Sequence, residues 1–188
     1  MGLFDWIKGK KPAQRDVSLP VFSVSVQVSS DPTAELNRQA TRLKDEGRMD
    51  EAIATLRVVA SMQDGFAETP SMGTRLPLYM QQGGMPQEAV AEMIRLISLV
   101  PEAMKVNPCI KASGRANFEA QEYAVLFDKL GLILKRQKRP DLAGPVYEHA
   151  KKWSERAAAM YAKKYGDQPD IAIPRRPKLF DFSLIKLS

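Results

Sequence analysis

The chain has little of what catalytic and metal chemistry usually requires. Among its 188 residues there is one cysteine, Cys109, and one histidine, His149. A lone cysteine excludes an intramolecular disulfide and fits a reducing compartment. With one histidine, and neither a Cys-x-x-Cys nor a His-x-x-x-His spacing, the residue types that build zinc sites are missing. His149 reads as a surface side chain on a helix, and Cys109, which follows a proline, as a loop or packing residue. The double glycine in "QQGGM" is not followed by Gly-Lys-Ser/Thr, so it reads as a turn and not as a phosphate-cradling loop. Carboxylates are scattered rather than paired. No apolar run reaches the ~18 residues that span a bilayer. Asp5, Lys8, Lys10 and Lys11 interrupt the opening residues, so a secretory leader is not expected. These absences weigh against an enzyme and against any cofactor, and the expected location is cytoplasmic.

Charge of one sign is in modest excess: the formal net charge is +6 and the sequence pI about 9.4. That balance favours acidic partners: an acidic protein, an anionic membrane surface or nucleic acid. The basic run "LKRQKRP" (134–140) has no aromatic side chains interleaved for base stacking. It suits the C-terminal end of a helix, where cations complement the helix dipole.

Four regions follow from the patterning. Residues 1–16 form a short amphipathic segment. Leu3, Phe4, Trp6 and Ile7 precede Lys8, Lys10 and Lys11, a combination suited to an anionic membrane surface. Trp6 stands where the myristoylation pattern needs Ser or Thr, so lipidation is not expected. Residues 17–31 form a β-prone arm, in which "VFSVSVQV" alternates with period two. Residues 32–166 are helical. Residues 167–188 form a proline-broken arm that ends in the roughly alternating "LFDFSLIKLS", read as a second strand. The two arms are natural partners for each other, within one chain or across a homodimer, or for a client by strand addition.

Within 32–166 the apolar period is helical. Leu36, Ala40 and Leu43 form one stripe and Met49, Ala52, Ile53, Leu56 and Val59 a second. "QDGFAETPSMG" reads as a loop, "RLPLYMQQ" as a helix with Pro77 near its start, and "PQEAVAEMIRLISLV" as a helix with Pro101 just beyond its end. "EAMKVNPCIKASGRAN" reads as loop. A strong helix is expected from Phe118 to Arg136, and a long one from Asp141, its cap, to Gly166. Tyr147, Trp153, Met160 and Tyr161 are expected on the inner face of that last helix.

The stretch "EGRMDEAIATLRVVA" (46–60) supplies a register. Gly47, Gly84 and Lys138 each stand five residues before an alanine: Ala52, Ala89 and Ala143. Their spacings are 84 − 47 = 37 and 138 − 84 = 54. Tetratricopeptide repeats recur every ~34 residues, so the second interval leaves room for an insertion around 102–117. Phe127, Leu130, Gly131 and Leu134, then Ala143, Tyr147 and Ala150, fit the large and small positions of a helix pair. So do Leu36, Ala40, Leu43, Gly47, Ala52, Leu56 and Val59, with "DEAI" opening the second helix. "QEAV", Met93 and Pro101 mark the middle unit, whose first helix departs from the pattern at Gly73 and Pro77.

On these residues the chain resembles the tetratricopeptide-repeat (TPR) family over about 33–155. The resemblance implies a mostly α fold: a right-handed stack of about three helical hairpins flanked by the β-prone arms. A hairpin cannot bury its apolar face alone, so such units must stack. The resemblance also implies a concave groove lined by Asn37, Thr41, Lys44, Thr74, Leu78, Gln81, Asp128, Leu132, Lys135 and Arg136. A solvated face, or one covered by the N-terminal segment, is the plainer reading of those residues. Asn37, Thr41 and Val125 stand where the family's carboxylate clamp needs Lys, Asn and Lys, so that clamp is not expected. The function this implies is a non-enzymatic interaction module, an adaptor, chaperone-like protein or inhibitor. It would bind a peptide or helix of a partner protein of acidic character. A peripheral membrane factor anchored by residues 3–11 and an RNA-binding helical repeat are the alternatives.

Overall fold

A computed structural model describes residues 31–62, 69–166 and 168–185. These residues form six α-helices: α1 Pro32–Asp45, α2 Met49–Met62, α3 Arg75–Gln82, α4 Pro86–Val106, α5 Arg115–Arg136 and α6 Pro140–Tyr165. Short 3₁₀ turns cover Pro70–Thr74, Ala112–Gly114 and Phe182–Leu184. There is no strand among the described residues. The amphipathic segment 1–16, the alternating run 21–28 and most of the loop after α2 lie outside them.

Each helix packs chiefly on its neighbours in sequence, α1 on α2 through to α5 on α6, giving a stack of six. α1 opens with Pro32 in its first turn and with Asp31 as cap, whose carboxylate accepts from the Thr33 N–H at 3.0 Å. That geometry satisfies one of the free donors at a helix start. One hydrophobic core runs the length of the stack, from Ala40 and Leu43 to Trp153 and Ala157.

The register read from the sequence is built into three like turns. Gly47, Gly84 and Lys138 are the residues with positive φ among those described, at +79°, +81° and +59°. In each turn the following N–H reaches back five residues to a carbonyl: Arg48 to Leu43 at 2.8 Å, Met85 to Met80 at 2.8 Å and Arg139 to Leu134 at 3.0 Å. This is the Schellman geometry, which closes a helix with a residue in the left-handed region. The next helix then begins two residues on, at Met49, Pro86 or Pro140. Ala52, Ala89 and Ala143 are buried in the core. Gly131 marks a close approach of α5 and α6, because a Cβ there would lie 2.8 Å from the Tyr147 ring.

The longer second interval goes into helix and not into a large loop. α4 continues through Pro101 to Val106, against the expectation that the proline lies beyond its end. Pro101 removes one helical hydrogen bond. Val100, Ala103 and Met104 keep helical spacing around it and are all buried, which holds the helix together. α5 starts at Arg115, earlier than expected. α6 starts at Pro140 and not after an Asp141 cap, since proline's fixed φ suits a first helical turn. Of the expected inner face of α6, Trp153 is 1% exposed but Tyr161 is 58% exposed.

Over its described residues the C-terminal arm is not a strand. Residues 168–181 carry no regular structure, and the turn Phe182–Leu184 follows, where the Asp181 carboxylate accepts from the Ser183 N–H at 3.0 Å. The alternation holds for Phe180 and Phe182 and breaks at the 3₁₀ turn, where Leu184 is 59% exposed and Ile185 is buried; helices and not a sheet receive these side chains. Phe180 and Phe182 pack against the core, and Ile185 is buried. No helix among the described residues is long and apolar enough to cross a membrane.

Candidate protein-interaction surface

The first helices of the three hairpins, α1, α3 and α5, are tied together by long polar side chains. Arg75, in the first turn of α3, reaches across to α1. Its Nη1 donates to Asn37 Oδ1 at 3.1 Å and its Nη2 to Thr41 Oγ1 at 2.5 Å. The same Nη2 lies 3.2 Å from the Tyr79 hydroxyl. Asn37 and Thr41 are oriented by their own helix, through Asn37 Nδ2 to Thr33 O at 2.9 Å and Thr41 Oγ1 to Asn37 O at 3.0 Å. Two cations lie near the Tyr79 ring: Lys44 Nζ sits 5.5 Å from its centroid and the Arg75 guanidinium 5.6 Å. Cations over an aromatic face are attracted by the ring quadrupole. On the other side of α3, Arg136 at the end of α5 donates to Gln81 Oε1 at 3.0 Å.

Five of the ten residues expected in a groove therefore meet across helices: Asn37, Thr41 and Lys44 around Arg75 and Tyr79, and Gln81 with Arg136. Leu78 is half-buried against the core, and Leu132 is half-buried on α5. Thr74 turns back to its own 3₁₀ turn, donating to Ser71 O at 2.8 Å. Lys135 is exposed at the end of α5. Asp128 belongs elsewhere, pairing with Lys129 at 3.2 Å and lining a shallow cleft with Val125, Tyr147 and Lys151.

Arg75 and Tyr79 escaped sequence reasoning. Their spacing of four residues puts them on one helical face, but Pro77 between them marked the segment as a weak helix. Glu122 escaped as well. It is 7% exposed, and its carboxylate accepts from both the Ser71 N–H and the Ser71 hydroxyl, each at 2.8 Å. It thereby fastens α5 to the start of the middle hairpin, and its buried charge is met by directed donors.

His149 is not a surface residue. It is half-buried, accepts at Nε2 from Trp153 Nε1 at 3.1 Å and meets the Phe127 ring edge-on at 4.5 Å. Phe180 of the C-terminal arm lies 5.5 Å away, centroid to centroid. Loss of water in this aromatic setting, aided by nearby Lys152, holds its pKa below the ordinary histidine value. Cys109 is exposed. No group of three or more His, Cys, Asp or Glu side chains among the described residues is placed to hold a metal ion.

The arrangement brings together hydrogen-bonding side chains, a guanidinium held by neutral groups and the Tyr79 ring. Comparison with protein-family models, curated proteins and solved structures finds no match for this chain.

Proposed function

We propose that the chain is a non-enzymatic protein-interaction module, a TPR-like right-handed stack of three hairpins. In this reading the row along α1, α3 and α5 receives an extended segment or helix of an acidic partner. The protein acts as an adaptor, a chaperone-like binder or an inhibitor in the cytoplasm. One observation carries this reading. The Arg75 guanidinium is fixed in place by Asn37, Thr41 and Tyr79, all of them neutral. A cation positioned in advance by neutral acceptors keeps its charge for a ligand carboxylate, and little ordering is needed when that ligand arrives. Lys44 and Arg136 extend the positive charge along the row, which steers acidic partners and sets register.

The test is affinity capture from lysate of the source organism by wild type and by the Lys44→Glu/Arg136→Glu double variant. One protein retained by the wild type, lost from the variant and released by rising salt is the expected result. Equal capture by both forms overturns the row as the binding face. Recovery of only lipid or RNA transfers the function to the alternatives drawn from the N-terminal segment and the basic run.

A further inference from the structure

Three aromatic side chains are exposed among the described residues, and they stand together. Phe118, Tyr161 and Tyr165 are 45%, 58% and 64% exposed, and all three line one cleft of about 500 Å³ between the start of α5 and the end of α6. A single exposed ring needs no explanation, but rings gathered round one cavity of ligand size mark a binding place. Tyr161 and Tyr165 stand one helical turn apart, with ring centroids 5.1 Å apart and planes 47° from parallel. Phe118 reaches the same cleft from α5, and Ile173 reaches it from the C-terminal arm.

The charge of this cleft has one sign. Lys163 and Lys164 line it, and among the described residues no carboxylate does. Neither lysine is held in an ion pair among those residues, and Lys164 Nζ lies 4.9 Å from the Tyr165 ring centroid. Lys111 and Arg115, which flank Ser113 and Gly114 of the cleft wall in sequence, are exposed and likewise make no ion pair among the described residues. Glu119, the acid that follows Phe118, is taken by Arg176. Hydrogen-bonding groups complete the lining. Gln121 Nε2 donates to Asn117 Oδ1 at 2.9 Å, which leaves Asn117 Nδ2 as a donor beside Gln121 Oε1 as an acceptor. Cations without carboxylates suit an anion, exposed rings suit a flat ligand, and a donor beside an acceptor suits the edge of a base. One unpaired nucleotide brings all three. Carboxylate side chains and lipid headgroups bring the anion without the flat face.

We infer that the cleft between the start of α5 and the end of α6 is a binding site for single-stranded nucleic acid. A base stacks on the exposed rings, Lys163 and Lys164 meet the flanking phosphates, and Asn117 and Gln121 meet the base edge. A duplex is the poorer ligand, because its bases already stack on one another. The formal net charge of +6 adds attraction at longer range. The basic run 134–140 has no such rings, so dependence on stacking separates the two places. No residue of the cleft belongs to the polar row along α1, α3 and α5, and each site stands or falls without the other.

The experiment titrates the full chain into a fluorescein-labelled oligoadenylate RNA of about 12 nucleotides and follows anisotropy. Wild type is expected to bind it, with affinity falling about 10-fold between roughly 50 and 200 mM salt. An RNA duplex of the same length should bind at least about 10-fold more weakly. Tyr161→Ala/Tyr165→Ala should weaken binding about 10- to 100-fold, whereas Tyr161→Phe/Tyr165→Phe, which keeps the rings, should bind like wild type. Lys163→Glu/Lys164→Glu should weaken binding and flatten its salt dependence. These side chains are exposed, so the helical circular dichroism should not change. Should the alanine variant lose it, the lysine variant decides. Lys44→Glu/Arg136→Glu, which strikes the polar row, should bind within a few-fold of wild type. No binding by wild type at low salt overturns the inference. So does binding that survives loss of the tyrosines and disappears in Lys135→Glu/Lys138→Glu, which would place the nucleic acid on the basic run. Tyrosine-dependent binding to vesicles of equal parts phosphatidylserine and phosphatidylcholine, with none to the oligonucleotide, would make a membrane the occupant and overturn it as well.

Discussion

The first and third hairpins share a turn and differ in nearly everything else. Gly47 and Lys138 close their helices with the same left-handed geometry, and each is followed five residues on by a buried alanine. Around that common joint the first hairpin has two helices of 14 residues and an aliphatic interior of Leu43, Ile53, Leu56 and Val59. Its outer face is laced with exposed ion pairs, Arg38 and Arg42 to Glu35 and Arg48 to Glu46 and Glu51. The third hairpin has helices of 22 and 26 residues and an aromatic interior in which Tyr123 and Trp153 lie 4.5 Å apart. Exposed ion pairs contribute little, whereas buried aromatic rings contribute through both area and ring contact. The turn thus sets the register of the stack, and the filling sets its strength. The strong end is the one that carries the C-terminal segment. The weaker end supplies Asn37, Thr41 and Lys44 to the polar row.

The largest effect is expected at Trp153. It is the largest of the fully buried side chains among the described residues, and Trp153→Ala should lower stability by about 3–5 kcal/mol through lost burial and the cavity left behind. Denaturant unfolding gives the number. Native-state amide exchange in the wild type tests the contrast directly: α1 and α2 should exchange before α5 and α6. Equal protection at both ends, or a Trp153→Ala midpoint close to wild type, would break the comparison.

A smaller effect isolates the turn. Lys138 holds φ at +59° with a side chain, where the other two turns use glycine. The left-handed region costs a side-chain-bearing residue about 1–2 kcal/mol, and glycine gives part of that back in unfolded-state entropy. Lys138→Gly should therefore stabilise the chain by about 0.5–1 kcal/mol. Gly47→Ala should do the reverse by about 1 kcal/mol, as a pure backbone effect, since a Cβ at Gly47 would touch nothing within 4 Å. The shift in urea midpoint decides both. If Gly47→Ala is neutral, the three turns are not equivalent in energy.

That geometric equivalence is legible in the amino-acid sequence. Gly47, Gly84 and Lys138 announce themselves because a repeated turn imposes the same backbone at a fixed distance from the same packed alanine. The helices are legible by period, except where a proline stands inside one. Pro101 reads as a stop in the sequence, and only the burial of Ala103 and Met104 behind it shows that the helix goes on. The weak first helix of the middle unit has a similar cause. Gly73 lacks a side chain because Leu96 of α4 fills that place, with Cδ2 3.0 Å from where its Cβ would be. The polar row is half legible. Asn37, Thr41, Lys44, Gln81 and Arg136 follow from register, but which of them meet depends on the reach of Arg75 between helices. The docking of the C-terminal segment through Phe180 and Phe182 is hidden, because an alternating apolar run looks the same whether a strand or a row of helices receives it. The burial of His149 is hidden for the same reason: Phe180, which helps to cover it, comes from that segment.

The smallest effect follows from that burial and comes with a sign. His149 is depressed below its ordinary pKa of 6.5, first by loss of water and then by Lys152. The neutral imidazole is thus favoured in the folded state, and the unfolded chain binds more protons between the two pKa values. Stability must rise with pH through that window. The contribution is complete above 6.5 and is lost as pH falls through the lower, folded pKa. The carboxylates with lowered pKa, among them Asp31, Glu35, Glu51, Asp141 and Asp181, act only below their ordinary values of 3.8 and 4.5. Between about pH 6.5 and 5 the lone histidine is therefore the group to watch. Wild-type urea midpoints should fall modestly across that interval, while His149→Gln, which keeps an acceptor for Trp153 Nε1, should stay flat. A Phe180→Ala/Phe182→Ala variant should also flatten the profile, since water would return to the imidazole. A wild type with no slope there would mean that the C-terminal segment does not shield His149 in solution. The strong end of the molecule would then owe its strength to α5 and α6 alone.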